Sequence, residues 1–151
     1  MVKSMANARD CERVVRRIGS LTPNSARQWG SMSVESMLCH LADSYQIAMG
    51  ERVAAPVPTP MTRLMKAVAL WSPMRWPRNL KTPKEVEQGC GGTTAGSFED
   101  ERLRLLRMVA RFRSTTTLAE TRHPFFGRMT QADWMRWGYL HANHHLHQFS
   151  A

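Results

Sequence analysis

Histidines are concentrated near the end of this chain. Six occur among 151 residues, and four of them stand at positions 141, 144, 145 and 147. In a helix, His141 and His145 lie one turn apart on the same face, about 6 Å along the axis. Two imidazoles at that spacing can bind one metal ion. A surface helix that is merely rich in histidine is the alternative, so a ligand from elsewhere in the chain would favour the metal site.

A third histidine, His40, stands on another predicted helix at the edge of its apolar stripe. A lone histidine there is usually a satisfied, partly buried residue. If its helix neighbours the one that carries His141 and His145, three neutral imidazoles can converge. Three nitrogen ligands plus water is the catalytic form of a zinc site, whereas closed structural sites have four protein ligands. Zinc is the first expectation for the divalent metal, with nickel, iron and manganese as alternatives.

Apolar periodicity predicts four long helices to position these residues. Helix one covers 8 to 18 with Gly19 as its stop, helix two runs from about Val34 to Met49 before Gly50, helix three begins at Ser97, and helix four begins near Gln131. Ser33 is a helix-capping residue type, and Thr130 with Asp133 resembles a capping box. Arginines at 104, 107 and 111 form a row in helix three that is most simply a solvated face.

Residues 51 to 95 form the least regular part of the sequence. Prolines at 56, 58 and 60 predict an extended entry to a short helix at 61 to 71. The apolar stripe of that helix, which comprises Leu64, Met65, Val68 and Trp71, is expected to pack on the core, with a membrane-surface role as the less favoured alternative. We therefore predict one all-α domain over 1–151, a four-helix bundle whose long crossover between helices two and three carries a short extra helix.

Composition limits the expected localisation of the protein and the classes of partner that it binds. The net charge of +9 is compatible with an anionic small-molecule substrate. Nucleic acid is disfavoured, because the basic residues are spread along the chain and are not interleaved with aromatic ones. No apolar run approaches the roughly 20 residues of a membrane span, and the first residues lack the apolar core of a signal peptide. We expect a cytoplasmic protein with no membrane association.

Three cysteines, Cys11, Cys39 and Cys90, are odd in number and form no Cys-x-x-Cys pair. This spacing argues against a disulfide framework and against a thiolate zinc site. We predict reduced, packed thiols. The Gly-Cys-Gly-Gly stretch at 89–92 is flexible and lacks the lysine and spacing of a phosphate-binding loop.

Two motifs resemble the DinB/YfiT-like superfamily of bacterial four-helix bundles. They are Met37-Leu-Cys-His-Leu-Ala-Asp43 and His141-Ala-Asn-His-His-Leu-His-Gln148. Trp29-Gly-Ser-Met32 and His123-Pro-Phe-Phe-Gly127 further resemble a single-domain, largely uncharacterised branch of it. The matching segments, roughly 28 to 45 and 121 to 149, cover about a third of the chain. The resemblance implies a bundle in which His40, His141 and His145 bind the metal.

The superfamily includes metal-dependent transferases that act with low-molecular-weight thiols such as bacillithiol or mycothiol, and a thiol-dependent isomerase. The resemblance therefore implies a metal-bound thiolate or water as nucleophile, in an S-transferase or a hydrolase. A DinB-like protein that binds metal without turnover, for example in a stress response, is the alternative. A basic bundle that binds nucleic acid or another protein is a third interpretation. Trp71, Trp76 and Met-rich surfaces are compatible with a homodimer.

Further side chains are candidates for contacts with the metal ligands or the substrate. Asp43, at i+3 from His40, is a candidate acceptor for an imidazole, with an arginine partner or simple solvation as alternatives. Gln148 is a candidate donor to a bound water or substrate. His144 is expected to hydrogen-bond or pack, and His147 to lie near the surface. The remaining candidates are Ser44, His123 and Trp134.

Overall fold

Four long α-helices and one short helix make up the architecture in a computed structural model, which describes residues 2–57, 62–78 and 91–151. The helices are α1 (Ala8–Ser20), α2 (Val34–Ala48), α3 (Thr62–Trp71), α4 (Phe98–Ser114) and α5 (Gln131–Gln148). A 3-10 turn at Leu118–Glu120 and a two-residue antiparallel pair, β1 (Arg122–His123) with β2 (Gly127–Arg128), connect α4 to α5. The predicted all-α bundle, with its short extra helix between the second and third long helices, is confirmed.

Helix starts coincide with the capping residues of the sequence. The side chain of Ser33 accepts a hydrogen bond from the backbone of Ser36 at the start of α2. Thr130 and Asp133 form both bonds of a capping box, so α5 begins at Gln131 as predicted. Such caps satisfy backbone N–H groups that have no partner within the helix.

The end of the first helix differs from the prediction. Gly19 lies inside α1, which continues to Ser20 before Leu21 takes an extended conformation. A glycine ends a helix readily where the backbone needs a positive φ, and the φ of Gly19 is not positive. Gly50, with φ +76°, does take that conformation directly after α2. The predicted stops were therefore wrong at Gly19 and right at Gly50.

The centre of the core joins α2, α4 and α5. The Tyr45 ring lies 4.8 Å from the Phe112 ring, and its hydroxyl donates to the Gly138 carbonyl oxygen over 2.9 Å. Because Gly138 has no side chain, the α5 backbone can approach this pair closely. This hydrogen bond fixes the axial position of α2 relative to α5. These two helices carry His40 and the C-terminal histidines.

A buried carboxylate ties α2 to α4. Asp43 is fully buried, and its oxygens accept from Arg104 over 2.5 Å and from the backbone and hydroxyl of Thr93, each over 2.8 Å. Arg52 faces the same carboxylate at 3.2 Å. The prediction that Asp43 and Arg104 are solvated was therefore wrong. The alternative, an arginine partner for Asp43, is present. A buried carboxylate needs such partners to offset its desolvation.

The apolar stripe of the short helix α3 is not buried in the core. Exposed fractions are 53% for Leu64, 40% for Met65, 42% for Val68 and 49% for Trp71, whereas Leu70 is buried. That core prediction was wrong. The buried Leu70 and polar contacts with α5 hold α3: Lys66 and the Trp71 indole donate to Asp133, over 2.9 and 3.0 Å.

We expect Asp133→Asn to lower the free energy of unfolding by about 1 kcal/mol at pH 7, because it weakens the cap of α5 and the link to α3. Burial alone raises the pKa of Asp133, but hydrogen bonds from Thr130, Lys66 and Trp71 outweigh it and hold the pKa below the ordinary 3.8. This contribution is present above pH 4 and is lost as the pH falls through the folded-state pKa. Denaturant titrations at several pH values measure it.

The matched control is Glu99→Gln, which removes a carboxylate from an exposed pair with Arg102. It should change the free energy of unfolding by less than about 0.5 kcal/mol. Equal effects of the two substitutions, or an Asp133→Asn effect that grows in acid, would contradict the prediction.

Two of the three cysteines, Cys11 and Cys39, are free and buried, as predicted. Cys90, Pro58, Pro60 and part of the 89–92 stretch lie outside the described residues.

Within the described ranges, no helix has the length and apolar character needed to cross a bilayer.

Candidate metal centre

Three histidines from two helices meet at one point. His40 comes from α2, and His141 and His145 come from α5; one possible ligand atom from each lies within 4.8 Å of the others. The Nε2 atoms of His40 and His141 are 3.2 Å apart. Two nitrogens bound at about 2.0 Å in tetrahedral geometry are separated by about 3.3 Å. The spacing therefore fits a single metal ion, and the three predicted ligands are brought together.

The surroundings keep the imidazoles of His141 and His145 uncharged. Burial lowers the pKa of His141 and of His145 well below the ordinary value, and neighbouring histidines add to the effect. A neutral imidazole has a lone pair available for a metal. Two of the three imidazoles are thus held in the form that binds metal, and a set of three histidine nitrogens suits zinc and related divalent metals.

Gln148 orients the His145 ring. Its amide NH2 donates to the Trp29 carbonyl oxygen over 2.8 Å, so its Oε1 faces the Nδ1 of His145 at 3.0 Å. The Nδ1 therefore carries the proton, and Nε2 is left as the ligand atom. Such partners fix the tautomer of a metal-binding histidine. The sequence placed Gln148 against water or substrate, whereas the structure places it against the ring of a ligand.

Aromatic packing positions His141. Its ring centre lies 4.9 Å from that of Trp137 and 6.1 Å from that of Trp76. Its Nδ1 is enclosed and has no hydrogen-bond partner among the described residues. The two tryptophans therefore restrict the His141 ring by packing alone, and its Nε2 faces His40.

The three histidines line one cavity of about 780 Å³. That volume is within the usual range of small-molecule sites. The other walls are mainly apolar and come from α3, from the turn at 123–127 and from α5; they include Leu64, Met65, Val68, Phe125, Phe126 and Trp134. An ion held by the histidines would thus border a space large enough for a substrate.

The remaining candidates border the same cavity, with one exception. Ser44, His123, Trp134 and His144 all line it. The Ser44 hydroxyl donates to the His40 carbonyl oxygen over 2.8 Å. Asp43 is the exception, because its carboxylate faces Arg52, Arg104 and Thr93. Its suggested role towards the His40 imidazole stays a prediction.

His123 stabilises the turn beside the cavity. Its Nδ1 accepts from the backbone N–H groups of Phe125 and Phe126, over 3.1 and 3.3 Å, and its ring stacks on Phe126 with centres 4.5 Å apart. Burial lowers the pKa of His123 to about 3. The ring is therefore neutral near pH 7, and its acceptor nitrogen is already used.

His144 and His147 differ as the sequence suggested. The His144 ring packs against Trp29 and Trp76, with centres 5.8 and 6.2 Å apart, and His147 is exposed. Sequence reasoning did not assign Arg75 or Trp76 to the site. Both follow the short helix and line the cavity. The signal available in the sequence was a second tryptophan, Trp76, five residues after the end of an apolar helix.

Fold and site together define a helical-bundle protein with a candidate three-histidine metal centre beside a small-molecule cavity. The chain belongs to the family described as "Protein of unknown function (DUF1569)", whose sequence profile matches residues 3–151. No curated protein and no solved structure matches it. The resemblance to the DinB/YfiT-like superfamily stays a prediction.

Proposed function

We propose that this protein is a DinB-like metal-dependent enzyme that binds one divalent ion, zinc in the first place, through Nε2 of His40, His141 and His145. The observation that carries the proposal is the convergence of three imidazoles within 4.8 Å on the wall of a cavity of about 780 Å³. Three protein ligands leave further coordination positions for water or substrate. The cavity offers those positions a route to a small molecule.

A bound divalent ion would lower the pKa of a ligand water or thiol towards neutrality. The chain's own residues favour a thiol. Among the described residues, no carboxylate lines the cavity, and His123 already uses its acceptor nitrogen for two backbone N–H groups. A free thiol ionises near pH 8.5, far below free water, so a thiol would need a smaller lowering of its pKa by the metal to act as a nucleophile at neutral pH. We therefore place a thiol-dependent S-transferase first and a hydrolase second.

Elemental analysis of tag-free protein tests the metal centre, with close to one divalent metal per chain as the expected result. In a cobalt-substituted sample, bacillithiol or mycothiol should change the visible spectrum, because a thiolate alters the ligand field of cobalt. Cysteine and serine form a matched pair of simple probes, of which only cysteine should act. Protein without metal would contradict the centre. Metal without any thiol response would contradict the S-transferase and leave a hydrolase or a binder without turnover.

Gln148→Ala is expected to weaken metal binding by about tenfold to a hundredfold, because His145 loses the acceptor that fixes its tautomer. Competition with a chromophoric chelator measures the affinity. His147→Ala, which removes an exposed histidine from the same helix, should leave it unchanged. Equal affinities of the Gln148→Ala and wild-type proteins would show that the hydrogen bond does not support the centre.

A further inference from the structure

The apolar surface that α3 leaves uncovered faces the cavity. Leu64, Met65 and Val68 line it although each is at least 40% exposed. Phe125 and Phe126 line it from the turn. A mostly apolar molecule in this space would remove these side chains from water, which is favourable in proportion to the area covered. A ligand rich in hydroxyls would leave polar groups without partners against the same walls.

The charged side chain that lines the cavity favours a ligand with a negative charge. Arg75 lines it and is exposed, so this residue borders both the cavity and solvent. Within the described residues, neither aspartate nor glutamate lines the cavity, and no carboxylate pairs with Arg75. Neighbouring cations are engaged elsewhere, since Lys66 binds Asp133 and Arg136 binds the Leu70 carbonyl oxygen. Among the described side chains that line the cavity, Arg75 is the one cation available to an anionic group.

We propose that the cavity binds a mostly apolar molecule with a single anionic group, and that Arg75 pairs with this group. The inference deepens the proposed function by naming a substrate class, and it rests on that function only for the ligand's role as a substrate. Arginine suits the position because it stays charged at any physiological pH and can bind a carboxylate or sulfonate through two N–H groups. Arg75 is thus assigned as a specificity-determining residue.

Two fluorescent probes of one skeleton test the assignment. 1-Anilinonaphthalene-8-sulfonate is an aromatic monoanion, and N-phenyl-1-naphthylamine lacks its sulfonate. Because sulfonate is a poor metal ligand, titrations of metal-free and metal-loaded protein should agree, which separates this inference from the metal centre. Wild type is expected to bind one sulfonate probe per chain, more tightly than the neutral probe.

Arg75→Gln should weaken the sulfonate probe about fivefold, the size expected of one partly exposed ion pair, and change the neutral probe less than twofold. Arg63→Gln is the matched control, since it removes an exposed charge from α3 that does not line this cavity. It should change neither probe. Met65→Glu, in the cavity wall, should weaken both probes at least fivefold.

Three results would overturn the proposal. The first is equal binding of the sulfonate probe by the Arg75→Gln and Arg63→Gln variants, which would indicate general attraction by net charge. The second is unchanged binding of both probes by Met65→Glu, which would place them elsewhere. The third is no binding by wild type. Metal-loaded protein that fails the thiol test but passes this one would contradict the S-transferase and leave the ligand class in place.

Discussion

His145→Ala should reduce the metal content of the purified protein from close to one ion per chain to nearly none, while the protein stays folded. The substitution removes one of three ligands and leaves the Gln148 amide without its partner in the ring. Two imidazoles alone bind a divalent ion far more weakly than three. Because His145 lines an existing cavity, its loss widens that space and opens no new void in the core. The fold should therefore survive.

Elemental analysis of variant and wild type, purified side by side without a tag, measures this effect. Circular dichroism checks that the variant is folded. His144→Ala and His147→Ala are the matched controls, since both remove a histidine from α5 outside the three ligands, and both should retain metal. Equal metal in His145→Ala and wild type would show that the three histidines do not form the site.

Gly138→Ala should lower the free energy of unfolding by about 2 kcal/mol, within the usual range for an overpacked core. A Cβ at this position would lie 2.6 Å from Cε1 and 2.9 Å from Cζ of Phe112. The Phe112 ring is fully buried beside Tyr45 and cannot simply swing away. Gly138 also lies one turn before His141, so a shift of α5 away from α4 should weaken metal binding as well.

Urea denaturation and chelator competition measure the two effects. Gly19→Ala is the matched control, because a Cβ there meets nothing within 4 Å; it should be neutral or stabilise the helix by up to about 1 kcal/mol. Phe112→Leu removes the ring atoms in the way, so the double variant should lose less stability than the two single losses added together. Additive losses, or a neutral Gly138→Ala, would contradict the steric explanation.

Local patterns predicted the helices well. The Thr130–Asp133 box located the start of α5, and the stripe that includes Met135, Tyr139 and Leu146 is buried. Caps and periodicity act over a few residues, so they can be read without knowledge of the fold. Gly19 shows the limit of this approach. A glycine permits a helix to end but does not require it, and α1 continues past it.

Contacts between distant segments were harder to predict. The row of arginines looked solvated, yet Arg104 binds the buried Asp43. The stripe of α3 resembled a core stripe, yet it borders a cavity, because Lys66 and Trp71 bind Asp133 and hold α3 by its polar contacts. Periodicity identifies the apolar face of a helix but not what that face meets.

For the histidines too, local patterns were predictable and contacts between distant segments were not. The sequence alone determined that His141 and His145 share a face of one helix and that His40 borders the apolar face of another, since each follows from the helical repeat. Only the tertiary structure decided that these faces meet, with Nε2 of His40 and of His141 3.2 Å apart. The neighbour of a helix is selected by packing between distant residues, here Tyr45 against the bare backbone of Gly138. That packing also left the cavity into which the three histidines face.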